Sequence, residues 1–314
     1  MPSFRVQNKS SRPWNALAPA LRSMFGCRVY RAALDLGFSC PNRDGTLATG
    51  GCRFCDAGGS RAQYVEPEST IEQQIKAGIA RATRRKPETK VIAYFQAFSG
   101  THGPLDQLRA ACETVLQEDK VVAIAIATRP DCLPTEALDF LSGLQERTLL
   151  WVELGLQTTN DQTLQVMGRG HDVAAFARAA GDLREREIRF VGHVVAGLPG
   201  DSAEDTIRAA GLLNEQGAWG VKLHNLYIDE YAPIAADWKA GRVETLDEAQ
   251  YREIAVQFLG QLHPDVLVHR LVGHAPPSRL LAPEWCLDKQ GFLRRLEETM
   301  RRRDLSQGSL LGDL

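Results

Sequence analysis

Gly37-Phe38-Ser39-Cys40-Pro41-Asn42-Arg43-Asp44-Gly45-Thr46-Leu47-Ala48-Thr49-Gly50-Gly51-Cys52-Arg53-Phe54-Cys55 places three of the chain's seven cysteines within sixteen residues. The spacing is Cys-x11-Cys-x2-Cys, and none of the other four cysteines lies close to another in sequence. Gly45, Gly50 and Gly51 relax the backbone, so such a loop can fold around a small object with its donors turned inward. Cys52 and Cys55 are spaced to converge on one centre. Three thiolates with no obvious fourth describe a metal site with one position open, and that donor set suits either zinc or an iron–sulfur cluster.

Working outward, residues 29–36 read as a strand that delivers the chain into this loop. Beyond it, helix-like and strand-like segments alternate. Ser69-Thr70-Ile71-Glu72 is a capping-box pattern, followed by Ile75, Ile79 and Ala82 on the face of Ile71. Strands are predicted at 91–98, 121–128, 149–156, 188–195 and 221–228. Helices are predicted at 105–117, 134–145 (with Pro134 in the first turn) and 173–186, and from Ser202-x-x-Asp205 to Gln216. Six strands with near-continuous apolar runs, most followed by a helix, require a parallel sheet covered by helices with right-handed connections. A partial (β/α)6 TIM-like barrel and an open doubly wound sheet both satisfy the pattern. In either, ligands bind at the C-terminal ends of the strands, where the cysteine loop belongs.

Residues 1–26 read as an N-terminal arm. Trp14, Leu17, Leu21, Met24 and Phe25 recur at near-helical spacing, so the arm is expected to pack on the core at 27–230. After Ile228 the rhythm changes. A helix starting at Thr245-Leu246-Asp247-Glu248, a strand-like 266–272 and a helix carrying Phe292, Leu296 and Met300 make a C-terminal α/β extension at 231–304. The Gly/Ser-containing 305–314 is expected to be a mobile tail.

Bulk properties exclude several classes. A formal charge of −2 over 314 residues gives no global pull toward nucleic acid or membranes. No apolar run approaches the ~20 residues that span a bilayer, and no secretory signal opens the sequence. An odd number of cysteines in a chain of this size points to reduced thiols and a cytoplasmic protein rather than a disulfide framework. Cys27, Cys112, Cys132 and Cys286 are expected to be buried thiols. Basic residues do cluster locally, at Arg5 to Arg31, at Arg81, Arg84, Arg85, Lys86 and Lys90, and at Arg294, Arg295 and Arg301 to Arg303. These are solvated faces or the footprint of an anionic partner such as RNA.

For zinc, His102 after the second strand is the candidate fourth ligand, and the chain would then be a zinc-stabilised nucleic-acid-binding protein without catalysis. For iron–sulfur, the open iron would chelate a small molecule. The loop resembles the cluster motif of radical S-adenosylmethionine (radical SAM) enzymes, with Phe54 in the aromatic place before the last cysteine. The x11 gap is similar to the longer form in the Elongator-catalytic-subunit-like branch. Thr128-Arg129-Pro130-Asp131, Glu153-Leu154-Gly155-Leu156-Gln157, Met167-Gly168-Arg169-Gly170-His171 and His193-Val194-Val195-Ala196-Gly197-Leu198-Pro199-Gly200 follow in that family's order. Phe38-x-Cys40-Pro41-Asn42-Arg43-Asp44-Gly45, Tyr94-Phe95-Gln96-Ala97-Phe98 and Leu281-Ala282-Pro283-Glu284-Trp285 resemble the YhcC-type family, related also to oxygen-independent coproporphyrinogen oxidases. Ser99-Gly100-Thr101-His102 departs from the pattern expected there.

The resemblance implies a partial (β/α)6 barrel in which Cys40, Cys52 and Cys55 hold a [4Fe–4S] cluster. It implies reductive cleavage of S-adenosylmethionine (SAM) to a 5′-deoxyadenosyl radical, with an electron donor such as flavodoxin or ferredoxin. It also implies SAM contacts: Phe54 beside the cluster, Gln96 and Ala97 at the methionyl end, Thr128 and Arg129 near the ribose, Gln157 and Arg169 further along. His193 would lie near the adenosyl end, with Gly197 allowing close backbone approach. Glu153, flanked by apolar residues, is costly to bury unpaired, which makes it a site residue or half of an internal pair.

Overall fold

The computed structural model describes residues 12–312, apart from 57, 60, 63, 67 and 274; Arg5 and Lys9 of the arm lie outside that range. In chain order the elements are α1 (Leu17–Phe25), β1 (Val29–Leu34), α2 (Ile71–Thr83), β2 (Lys90–Phe95), α3 (Leu105–Leu116), β3 (Val121–Thr128), α4 (Thr135–Gln145), β4 (Leu149–Gln157), α5 (Asp161–Val166) and α6 (Val173–Glu185). There follow β5 (Arg189–Ala196), α7 (Ala203–Glu215), β6 (Gly220–Asn225), β7 (Ile228–Asp229), α8 (Ile234–Lys239), α9 (Glu248–Gln261), β8 (Leu267–Arg270), β9 (Leu280–Ala282) and α10 (Lys289–Arg302). Seven strands join in the order β1-β2-β3-β4-β5-β6-β8, every neighbouring pair parallel, curled into a half-barrel.

Alternation along the strands decides the two faces. On β3, Ile124 and Ile126 pack outward with the helices, while Ala123, Ala125 and Ala127 face the concave side. Leu150, Val152, Leu154 and Leu156 of β4 likewise face the helices, leaving Trp151, Glu153 and Gly155 on the inner face. At the N-terminal end of the strands, Leu17, Ala20 and Leu21 of α1 pack with Ile92, Ala123, Trp151, Val191 and Leu267, so the predicted arm plugs the floor of the barrel. Burying the two leucines stabilises this closure by about 1.5–3 kcal/mol each.

Several sequence expectations shift. The strand expected over 221–228 stops at Asn225, and Ile228–Asp229 pairs antiparallel with β9 instead. The strand-like 266–272 contributes β8, which lies beside β6 and widens the sheet to seven strands. The capping box of α2 is built one residue later than expected, by Thr70 and Gln73, and Pro134 is the residue before the helix rather than inside its first turn. Residues 305–312, expected to be mobile, are tied down: Gln307 donates to the carbonyls of His263 (2.7 Å) and Val266 (2.8 Å) and accepts from the Asn15 amide (2.9 Å). Composition registered the glycines and serines and missed one buried amide that satisfies three backbone groups.

Gln307→Ala is expected to lower unfolding free energy by about 1–3 kcal/mol, because it strands those buried groups without partners. Urea unfolding checks this; a midpoint equal to wild type would return the segment to the class of a loose tail.

Candidate functional site

The x11 insertion folds on itself. Arg43 N and Leu47 N donate to the carbonyls of Cys40 and Pro41 at 2.7 and 2.8 Å, and Gly51 N returns to the Asn42 carbonyl at 2.7 Å. This brings Cys40 and Cys52 to the same end of the loop despite eleven intervening residues. Asn42 locks the fold: its amide donates to Gly168 O at 2.7 Å and to Arg169 O at 3.1 Å, and stands 3.3 Å from Cys52 Sγ. Arg43 lies across Gly51, where a Cβ would meet its guanidinium at 2.8 Å, and donates to the carbonyls of Cys55 and Asp56. Gly51 has a φ of 74°, so this is one position where glycine is required.

Two guanidinium groups reach the thiols. Arg169 Nη1 stands 3.5 Å from Cys52 Sγ while its Nη2 donates to Gly155 O at 3.3 Å. Arg129 Nη1 is 3.9 Å from Cys40 Sγ, and its other nitrogens hold Asp131 at 2.9 and 2.8 Å. Burial opposes ionisation of Cys52, but the Arg169 charge and the hydrogen bonds from Arg169 and Asn42 outweigh it and hold the thiol below its ordinary range. Burial, then the charge of Cys52, pushes Cys55 up to about 11. Among the described residues no group of three His, Cys, Asp or Glu side chains is drawn into a closed metal cage. The fit to a cluster rests on the donor set: three soft thiols on one loop, with two cations placed to offset the anionic charge that three thiolates would bring. His102 turns elsewhere; its Nε2 pairs with Asp44 Oδ2 at 2.6 Å, away from the cysteines.

The residues expected to meet SAM are spread along the mouth. Gln96 and Ala97 follow β2, and the Gln96 amide donates to Leu34 O at 3.3 Å. Thr128 closes β3 with its hydroxyl 2.5 Å from that of Thr101. Gln157 ends β4 at a φ of 73°, and together with Arg169 it overlies Gly155, where a Cβ would meet each at 2.5 Å. Gly197 has a φ of 84°, but the space a Cβ would enter is taken by Leu246. Phe54 packs into the cluster of Met167, Leu198, Leu226, Ile228 and Ile234.

Glu153 and His193 belong to an inner network. The Glu153 carboxylate accepts from Tyr94, Lys222 and Trp151, and His193 Nε2 stands 2.9 Å from it. Lys222 Nζ also donates to Tyr94 Oη at 2.9 Å. Glu153 and Lys222 form an internal pair. Burial opposes its charge, yet Lys222 and His193 hold it ionised well below the usual range. Sequence reasoning missed Lys222 and Tyr94; the available signal was a lysine inside the apolar 221–228, the same signal that marked Glu153. The basic clusters at 81–90 and 301–303 sit at the N-terminal end of the strands, opposite the mouth, with Arg301 and Arg303 paired to Glu297 and Glu253.

A half-barrel of parallel strands with three cysteines on the loop after β1 defines a class, and comparison agrees. The Radical SAM superfamily matches residues 44–213 and the Radical_SAM C-terminal domain residues 218–302. The chain belongs to the radical SAM superfamily and is an enzyme of that kind, a membership that implies SAM as co-substrate and a [4Fe–4S] cluster. It is 37% identical to the uncharacterized protein YtqA of Bacillus subtilis, over 97% of this chain and 94% of that protein. Protein YhcC of Escherichia coli is 33% identical over 95% of each. The archaeal Methanocaldococcus infernus Elp3 with an N-terminal deletion superposes with a TM-score of 0.67 at 16% identity, which concerns the fold alone. It is matched over 89% of this chain and 64% of that one. No helix among the described residues is long and apolar enough to cross a membrane.

Glu153→Gln is expected to cost about 3–5 kcal/mol by leaving Lys222 buried without a counter-charge, and adding Lys222→Met should recover part of that loss; additive losses in urea unfolding would deny the pairing. Burial is the largest influence holding His193 down at about 4 and His171 at about 3, and it keeps His224 and His269 well below their ordinary range. Between about pH 6.5 and pH 4 the unfolded chain therefore binds more protons than the folded one, and stability falls as pH drops through that window. A urea midpoint flat over that range would contradict it.

Proposed function

We propose that Cys40, Cys52 and Cys55 hold a [4Fe–4S] cluster and that the enzyme cleaves SAM reductively at the mouth of the barrel, directing a 5′-deoxyadenosyl radical at a substrate inside it. The observation that carries this reading is the pair of guanidinium groups, Arg169 and Arg129, aimed at the thiols of Cys52 and Cys40. When bound, the cluster and SAM supply one-electron chemistry and hydrogen abstraction. The protein's share is placement. Asn42 and Arg169 fix the loop against the end of β4, so the thiols and the concave face keep one geometry. Helix α1 closes the floor, which keeps water from entering beneath a reactive radical.

Cys112, Cys132 and Cys286 are buried in separate places, and burial pushes Cys112 and Cys132 up to about 12. They offer no second cluster among the described residues, so the electron is expected from a separate donor such as flavodoxin or ferredoxin. The basic clusters at 81–90 and 301–303 give no support to RNA at the mouth, because they lie at the other end of the strands.

Anaerobic purification and reconstitution should give about four irons and four sulfides per chain. With dithionite and SAM, wild type is expected to release 5′-deoxyadenosine and Cys52→Ala to release none. One equivalent of zinc without labile sulfide, or equal product from both proteins, would sink the assignment.

A further inference from the structure

We propose that the substrate carries an anionic oxygen group, a carboxylate or a phosphate, which binds inside the barrel between Arg31 and Arg270 with Lys222 and His224 beside it. The inference rests on the concave chamber being the substrate's, and it names the chemistry that chamber selects.

Charge balance is the first argument. Arg31 of β1, Lys222 of β6 and Arg270 of β8 face one carboxylate, Glu153, and that carboxylate is already engaged by Lys222, Tyr94 and His193. The Arg270 side chain makes no hydrogen bond or ion pair to any described residue. Arg31 has one long contact, Nη2 to His269 O at 3.5 Å. The two partly buried guanidiniums share that one carboxylate and repel each other; burial first, then the Arg31 charge, pulls the Arg270 pKa down. Proteins do not keep such a pair for stability.

Geometry is the second. The register between β6 and β8 shifts between Val221 and Lys222, so that Lys222 is paired with Arg270. A bulge of this kind re-aims a side chain, and here it sets both cations on the concave face. His224, two residues further along that face, has its ring 5.6 Å from that of His193 and a buried Nε2 with no partner. That ring nitrogen is a buried polar atom left without a partner on the same face as the cations. Arg270 is the last residue of β8, which places it at the C-terminal, mouth end of the strands. A ligand anchored there by its anion would extend toward the mouth.

The test uses the full chain before cluster loading, so it is independent of the 5′-deoxyadenosine assay, and failure of either reading is seen separately. Inorganic phosphate and malonate are titrated by calorimetry at ionic strength held constant with sodium chloride. At least one anion is expected to bind saturably, the tighter of the two identifying the group, and Arg270→Gln and Arg31→Gln should each weaken it tenfold or more. The unliganded Tm of Arg270→Gln is expected to equal or exceed wild type, because the repulsion with Arg31 is relieved. The proposal is overturned if neither anion binds above the chloride background, or if both variants bind as wild type. It is also overturned if SAM displaces the anion competitively, which would make this the carboxylate subsite of SAM.

Discussion

Everything in the concave face is arranged around one carboxylate. Glu153 is fully buried, and the groups that satisfy it come from β2, β4, β5 and β6. In a flat sheet, β2 and β6 would stand about 19 Å apart, four spacings of ~4.8 Å. Tyr94 and Lys222 nevertheless meet at 2.9 Å, so this contact is a measure of how far the sheet has curled. Arg31 on one edge strand reaching His269 on the other extends the same argument to the whole half-barrel. A buried ionic network of this kind is commonly no more stabilising than well-packed hydrocarbon. Its members come from four strands, so the network holds the curl of the sheet rather than adding net stability.

The second constraint is the cysteine loop, which has no secondary structure of its own and is held from outside. Asn42 and Arg169 tie it to the end of β4 and the turn before α6. Arg53 hydrogen-bonds the backbone of Met167 and Ile234 and pairs with Asp237 of α8. Arg279, just before β9, holds both Asp56 (2.5 Å) and Asp229 (2.9 Å). The loop's shape is therefore fixed by residues more than a hundred positions away. That preorganisation is what a multi-atom cluster needs if its open position is to face one direction.

Much of the barrel could be read from the sequence because its signals are local. The Ala/Ile alternation of β3 and the apolar run of β4 are decided within each strand, and the cysteine spacing announces the loop. The misses are of another kind. The residues at 305–312 look loose by composition and are fixed by Gln307 bonding to segments some forty residues earlier. The end of β6 at Asn225 is set by β9, more than fifty residues later. Lys222 carried a local signal, a charge in an apolar strand, but its partner could not be named without the curl of the sheet. Arg270 carried the same signal inside the apolar 266–272, but a register shift between strands decides which way it points.

The loops after β1 to β4 carry the cysteines, Arg129 and Arg169, with Gln157 at the end of β4, all at the mouth end of the strands. Lys222, His224 and Arg270 come from β6 and β8, inside the stretch matched by the C-terminal domain of the family. Glu153 sits on β4 and binds Lys222 on β6, so this polar tie joins the part of the barrel behind the cysteine loop to the strands matched by the C-terminal domain. A change of substrate could then be accommodated by altering β6, β8 and their bulge while the cysteine loop and its guanidiniums stay as they are. The reverse does not hold, because Arg169 and Asn42 bind the loop to β4 itself, and moving either would shift the floor on which the inner network rests.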